Sequence, residues 1–86
     1  TGTGFESGCA ITTGDENSAF GYMAAKCATT GDFNTSIGAA AGCQLTTGCN
    51  NTFLGHIAGR TGSPATVTSG DNNIVIGNNT NTNAYK

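Results

Sequence analysis

The stretch Asn34-Thr-Ser-Ile-Gly-Ala-Ala-Ala-Gly-Cys-Gln-Leu-Thr-Thr-Gly-Cys-Asn50 decides the fold, because the chain repeats it in variant form on both sides. One copy precedes it from Asn17 to Phe33, and another begins at Asn51. Thr1 to Glu16 supply most of an earlier copy, and the phrase returns as Asn73-Ile-Val-Ile-Gly77. A fixed step of 17 residues predicts stacked repeats of one small unit rather than an ordinary globular core.

Stacking the repeats at this step places equivalent residues in columns. Two columns hold glycine, which is typical of corners with positive φ or of walls that approach closely. A third column holds asparagine, whose side chains can form an amide ladder at a spacing of roughly 4.8 Å. The members are Gly4, Gly21, Gly38 and Gly55; Gly14, Gly31 and Gly48; and Asn17, Asn34, Asn51 and Asn73.

Two apolar columns and one column of small residues predict a narrow interior. The apolar residues lie in short segments that are rich in β-branched and aromatic side chains, which indicates strands of about three to five residues. Because Leu54 is expected to be buried, Leu54→Asp should collapse the fold. The predicted core ladder is Phe20, Ile37, Leu54 and Ile76 with Ile11, Leu45 and Val67, and the small column is Ser7, Ala24, Ala41 and Ala58.

These columns predict an all-β chain: a parallel β-solenoid or β-roll of about five 17-residue coils over residues 1–77. Five extra residues near 60–66 interrupt the period as a surface loop, and residues 78–86 read as a polar linker or tail. A thin coil with unpaired ends favours association, so we expect a trimeric fibre. In it, Ala19, Phe53 and Val75 should face the neighbouring chains.

Composition narrows the function classes. The 86 residues suffice for one domain, only 9 % are charged, and the net charge is -2, which argues against binding of nucleic acid. No apolar run is long enough for membrane insertion, and no signal peptide is recognisable. A disordered tract would have no reason to keep large apolar residues in one column.

The phrases Asn51-Thr-Phe-Leu-Gly55, Ala41-Gly42 and Leu45-Thr-Thr-Gly48, followed by Asn50-Asn51, resemble repeats of bacteriophage tail-fibre and related structural proteins, including those of cyanophages. The resemblance extends to about Gly77. The pattern also looks like a longer form of the head repeat of trimeric autotransporter adhesins. Both groups imply a trimeric, extended, extracellular β-structure used for attachment or as a shaft. The chain departs from its own pattern at Lys26 and Arg60, where that column elsewhere holds cysteine.

Few residues of the sequence indicate metal binding or catalysis. Asp15, Asp32 and Asp71 recur after a glycine and are the candidates for a calcium site, but the nonapeptide signature of calcium β-rolls is absent, which favours solvated turn aspartates. His56 has no catalytic partner placed by a motif, so we expect no enzyme and no cofactor.

The four cysteines have no zinc spacing. Cys9 and Cys43 share a column but lie two repeats apart, roughly 9.6 Å by the strand spacing, which is beyond the reach of a disulfide. Free thiols are the favoured interpretation, and cross-chain or Cys27-based disulfides are the alternative.

The leading hypothesis is a structural segment of an extended virion or extracellular fibre that supports attachment to a host surface. Its expected partners are two further copies of the chain and a host glycan or protein receptor. The alternative is a secreted ice- or glycan-binding solenoid, although adjacent threonines on a strand should leave only one threonine column facing outward. A bacterial adhesin head is a third reading. The expected ligand contacts lie in the insertion, at Arg60, Thr61, Ser63 and Thr66.

Overall fold

The repeats build one parallel sheet, in a computed structural model that describes residues 1–59 and 70–77. Five short strands follow in chain order and pair in the order β1-β2-β3-β4-β5. The described residues contain no helix, and therefore none that could cross a lipid bilayer. The predicted all-β class is confirmed, and the sheet is consistent with a β-solenoid or β-roll. The strands are β1 (Gly2–Thr3), β2 (Ser18–Phe20), β3 (Thr35–Ile37), β4 (Thr52–Leu54) and β5 (Ile74–Ile76).

The register of the sheet follows the sequence period. Ser18 pairs with Thr35, and Thr35 pairs with Thr52, in each case with an offset of 17 residues. Thr52 then pairs with Ile74, so the extra residues between β4 and β5 do not disturb the pairing. This register agrees with an insertion near 60–66, although the insertion itself lies outside the described residues.

Each strand points one residue into the interior and the next residue outward, and this arrangement corrects the predicted core. Phe20, Ile37 and Ile76 stack in register as expected, but they are 40 %, 43 % and 43 % exposed, and Leu54 is half-buried. Successive strand residues face opposite sides, so the preceding residues point inward instead. The inner column is Ala19, Ser36, Phe53 and Val75, all buried; the outer ladder is Phe20, Ile37, Leu54 and Ile76.

The remaining interior matches the predicted columns. Ala24, Ala41 and Ala58 are fully buried, and Leu45 is buried beneath the sheet with Phe53. Ile11 is partly buried against a second cluster that contains Ala24 and Ala28. Val67, the last residue of the predicted ladder, lies outside the described residues. The interior is therefore narrow and lined mainly by alanine, with one large ring.

That ring, Phe53, fits because two neighbouring positions lack a side chain. A Cβ atom on Gly42 would lie 2.8 Å from Cδ2 of Phe53, and one on Gly59 would overlap the ring. The equivalent position in the second repeat is Ala25, which lies opposite the small inner residue Ala19. Gly42 and Gly59 thus leave room for the ring of Phe53.

The asparagine column forms the predicted ladder. Oδ1 of Asn34 accepts a hydrogen bond from the backbone N–H of Asn51 at 2.9 Å, and Nδ2 of Asn34 donates to the carbonyl oxygen of Gly48 at 2.7 Å. Asn17 and Asn51 make the equivalent bonds to the repeats that follow them. Each of these buried amides therefore joins two repeats through both of its polar atoms.

The glycine beside the outer ladder marks a tight corner. Gly38 has φ of 125°, and a Cβ atom there would lie 2.7 Å from the carbonyl oxygen of Gly55 in the next repeat. The predicted role of this column, positive φ together with close approach, is confirmed.

Candidate functional site

The outer face of the sheet is apolar along one edge and uncharged throughout. Its second column, Ser18, Thr35, Thr52 and Ile74, runs parallel to the outer ladder. Neither column contains a charged residue. Isolated exposed apolar residues are ordinary, but an aligned row with three exposed members and the half-buried Leu54 is typical of a surface that contacts another protein.

Beyond the glycine corner, a second wall carries a column of rings. Met23 donates its backbone N–H to the carbonyl of Phe5, Ala40 to that of Tyr22, and Ile57 to that of Ala39, which places Phe5, Tyr22, Ala39 and His56 one above another. The rings of Phe5 and Tyr22 stack with centroids 5.6 Å apart and planes inclined by 10°. Both rings are more than half exposed.

A groove of about 410 Å³ opens where this column loses its ring. Tyr22 and His56 border it on either side of Ala39, and Met23, Ala40 and Ile57 line it from the adjacent column. Cys27, Cys43 and Gln44 complete the lining together with Lys26. Its volume falls within the range of small-molecule sites. The order ring, ring, alanine, ring at the 17-residue step was the sequence signal that could have indicated it.

Lys26 places the only ion pair of the described residues at the edge of this groove. Its Nζ lies 2.7 Å from Oε2 of Glu6 in the preceding repeat, and both side chains are about one-third exposed. The hydrogen bond to Glu6 raises the pKa of Lys26 above its ordinary value of 10.5. The ammonium is thus held against Glu6, and Lys26 also lines the groove.

The aspartate column is tied to the backbone. Oδ1 of Asp32 accepts the N–H of Asp15 at 2.8 Å, and Oδ1 of Asp71 accepts the N–H of Cys49 at 2.7 Å. The Cys49 thiol occupies the intervening position and accepts the N–H of Asp32 at 3.4 Å. Within residues 1–59 and 70–77, no group of three metal-ligating side chains is present. Asp32 and Asp71 therefore act as rungs between repeats.

Both threonine columns reach the solvent, contrary to the expectation that only one would. Thr12, Thr13, Thr46 and Thr47 are all exposed. The Thr-Thr pairs lie outside the strands, where adjacent side chains need not point to opposite faces. The hydroxyls of Thr12 and Thr29 each donate to the carbonyl oxygen of the equivalent threonine in the next repeat, at 3.3 and 3.2 Å.

The cysteines are free thiols in this structure, as favoured from the sequence. Cys9 and Cys27 are exposed and Cys43 is buried. The predicted ligand contacts Arg60, Thr61, Ser63 and Thr66 lie outside the described residues.

Comparison with known proteins yields no relative: no protein-family model, no curated protein and no solved structure matches the chain.

Proposed function

We propose that this chain is a structural segment of an extended fibre, carried on a virion or outside the cell, that supports attachment to a host surface. The single observation that carries the proposal is the outer ladder. Each member of the ladder pairs with the equivalent residue of the next strand. The ladder, Phe20, Ile37, Leu54 and Ile76, therefore runs along the direction in which the repeats stack. Chains that bury such a row against one another align lengthwise.

The proposed assembly is a trimer of parallel solenoids of about five coils each. The sequence suggested that Ala19, Phe53 and Val75 face the neighbouring chains, but these residues fill the interior. The outer ladder replaces them as the proposed contact surface. Depletion of charge is the compositional mark of a protein–protein interface core, and the outer face of the sheet carries none.

The proposed mechanism is mechanical. Hydrogen bonds cross between repeats at the sheet, at the asparagine ladder and at the Thr-Thr pairs, for example from the N–H of Thr29 to the carbonyl oxygen of Thr46 at 2.9 Å. A coil bonded to its neighbours around its circumference resists bending. Such a rod holds a recognition surface, a host glycan or protein receptor being its partner, away from the particle.

Light scattering on the purified chain tests the assembly. We expect three times the monomer mass for the wild type. Ile37→Asp places a charge in the middle of the outer ladder and should produce monomers that keep the far-ultraviolet spectrum of the wild type. Thr47→Asp adds the same charge on another wall and should stay trimeric. A wild-type chain that is monomeric at every concentration would overturn the proposal.

A second candidate function, an ice- or glycan-binding solenoid, is favoured by the two exposed threonine columns. The hydroxyls of Thr12 and Thr29 are held in place by hydrogen bonds to the next repeat, which produces an ordered row at the repeat spacing. Thermal hysteresis separates the candidates: an ice-binding face produces it and loses it in Thr30→Lys, whereas a fibre segment produces none.

A further inference from the structure

Two exposed thiols lie in equivalent turns of neighbouring repeats. Cys9 and Cys27 are both exposed, and each lies in the turn that precedes a Thr-Thr pair. Backbone hydrogen bonds join the two repeats on either side of these turns. One runs from the N–H of Gly8 to the carbonyl oxygen of Ala24 at 2.9 Å, and another from the N–H of Thr12 to the equivalent threonine at 3.0 Å. The spacing of the repeats is therefore fixed where the two cysteines lie.

The register brings the two cysteines within reach of a disulfide. Lys26 occupies the position 17 residues after Cys9, and Cys27 is the next residue along the chain. A repeat spacing of roughly 4.8 Å and a step of about 3.8 Å between consecutive Cα atoms place the Cα atoms of Cys9 and Cys27 roughly 6 Å apart. This separation lies within the range of about 4.4–6.8 Å that disulfides span.

The thiol of Cys9 points toward the repeat that contains Cys27. Its Sγ lies 3.9 Å from the carbonyl oxygen of Lys26, and the carbon of that carbonyl is bonded to the backbone nitrogen of Cys27. The pKa of Lys26 is raised chiefly by its hydrogen bond to Glu6, and further by the charges of the Cys9 and Cys27 thiolates. Because Coulombic effects fall off with distance, both sulfur atoms lie near this one ammonium group.

We propose that Cys9 and Cys27 are a redox-active pair that closes to an intrachain disulfide when the chain meets a small-molecule disulfide such as oxidised glutathione. The free thiols of the structure are the reduced form of this pair. Cys43 lies at a similar step from Cys27, but it is buried, and oxidation favours exposed thiols. The inference is independent of the fibre proposal, because the bond forms within a single chain.

The bond forms by two thiol–disulfide exchanges. The thiolate of one cysteine attacks a sulfur atom of glutathione disulfide, which forms a mixed disulfide and releases one glutathione. The thiolate of the second cysteine then attacks the sulfur of the first, which closes the Cys9–Cys27 bond and releases the second glutathione. The two cysteines are oxidised, one glutathione disulfide is reduced, and the protons of the two cysteines pass to the two glutathione thiolates. The product is a covalent staple between neighbouring repeats.

Peptide mapping of the intact chain identifies the bond. The reduced chain is treated with oxidised glutathione at low protein concentration, its remaining thiols are alkylated, and trypsin digests it without reductant. Trypsin cleaves after Lys26, and the fragment Thr1–Lys26 contains Cys9 as its single cysteine. We expect this fragment to be linked to the fragment that begins at Cys27. A bond between Cys27 and Cys43 would instead lie within that second fragment and leave Cys9 outside it, which would contradict the proposal.

Two variants connect the bond to its effect on stability. Oxidation of the wild type should raise the melting temperature by about 5–15 °C, and a reductant should reverse the rise. Cys27→Ser should lose both the linked fragments and the rise. Cys49→Ser, the control, removes a thiol outside the pair and should keep both.

Three further results would overturn the proposal. The first is a wild-type chain in which Cys9 ends alkylated or joined only to glutathione. The second is a link to the fragment Thr1–Lys26 that persists in Cys27→Ser. The third is an intact mass, measured without reductant, which shows that the link joins two chains and not two residues of one chain.

Discussion

At the scale of single residues, the asparagine ladder shows why one amino acid recurs at every seventeenth position. The side chain must accept from a backbone N–H and donate to a carbonyl oxygen of the next repeat, as Asn34 does with Asn51 and Gly48. Aspartate has no donor, and the longer stem of glutamine would displace both polar atoms. Only asparagine meets both demands in this buried space.

Asn34→Ala should therefore be severely destabilising. It leaves the N–H of Asn51 and the carbonyl of Gly48 without their hydrogen-bond partner. Each buried polar group left in this way lowers the free energy of unfolding by about 1–3 kcal/mol. We expect a loss of about 2–5 kcal/mol in urea unfolding. Asn34→Leu, which restores the volume without the polar atoms, should be no better; a recovery of stability there would show that packing, not hydrogen bonding, matters. Thr30→Ala is the exposed control.

Ser36 is the opposite case, a polar residue whose removal should help. Its hydroxyl is buried in the inner column and has no hydrogen-bond partner among the described residues. Ser36→Ala should stabilise the fold by about 1 kcal/mol, which raises the melting temperature of a chain of this size by several degrees. Ser7→Ala is the matched control, because the Ser7 hydroxyl donates to the carbonyl of Ala19 at 2.8 Å. It should lower the melting temperature, and the same sign for both variants would contradict the assignment.

At the scale of the strand, the sequence predicted which residues pair across the sheet, but not which side of each strand faces the interior. The 17-residue step predicts which residues become neighbours, and Phe20, Ile37 and Leu54 do pair as expected. Strands of three residues with apolar side chains on both faces, such as Ile74–Ile76, give no alternation from which to choose the inner side.

The asparagine column contained the missing information. Asn17 is buried, and along an extended segment the residue two positions later faces the same way, which is Ala19 and not Phe20. The large residues of the outer ladder suggested a core, yet the space beside Gly42 and Gly59 is filled by the ring of Phe53. The groove beside Ala39 was not predicted, because the sequence alone does not show that the side chains of this column lie directly above one another.

Because Phe53 points to the interior and Leu54 points outward, substitutions at these two adjacent positions of β4 should have unequal effects on stability. Phe53→Ala empties the centre of the interior and should cost about 3–5 kcal/mol. Leu54→Ala, at a half-buried outer position, should cost about 1 kcal/mol or less when measured on monomers. Leu54→Asp should then remain folded, contrary to the expectation from the sequence. Equal losses for Phe53→Ala and Leu54→Ala in chemical denaturation would mean that the strand is turned over.

At the scale of the whole molecule, stability comes from contacts between successive repeats. Backbone bonds join the walls outside the sheet as well, from the N–H of Ala25 to the carbonyl of Ala41 and from Gly42 to Ala58, both 2.8 Å long. In such a linear stack, each repeat is stabilised by its neighbours alone. Electrostatics contributes little to this arrangement, since charged residues are 9 % of the chain.

The Lys26–Glu6 ion pair allows the electrostatic contribution to stability to be measured, because that contribution depends on pH. The hydrogen bond to Glu6 raises the pKa of folded Lys26 above 10.5, so the stabilisation by the pair is fully present below that pH. It is lost as the pH rises through the raised pKa, where the ammonium loses its proton. Glu6→Gln should therefore melt slightly below the wild type at neutral pH, because exposed pairs contribute little.

The difference in melting temperature between Glu6→Gln and the wild type should close above pH 10.5. Glu16→Gln removes the same charge at an exposed position and should show no closing difference. A Glu6→Gln difference that stays constant into the alkaline range would mean that Glu6 acts through packing rather than through the charge of Lys26.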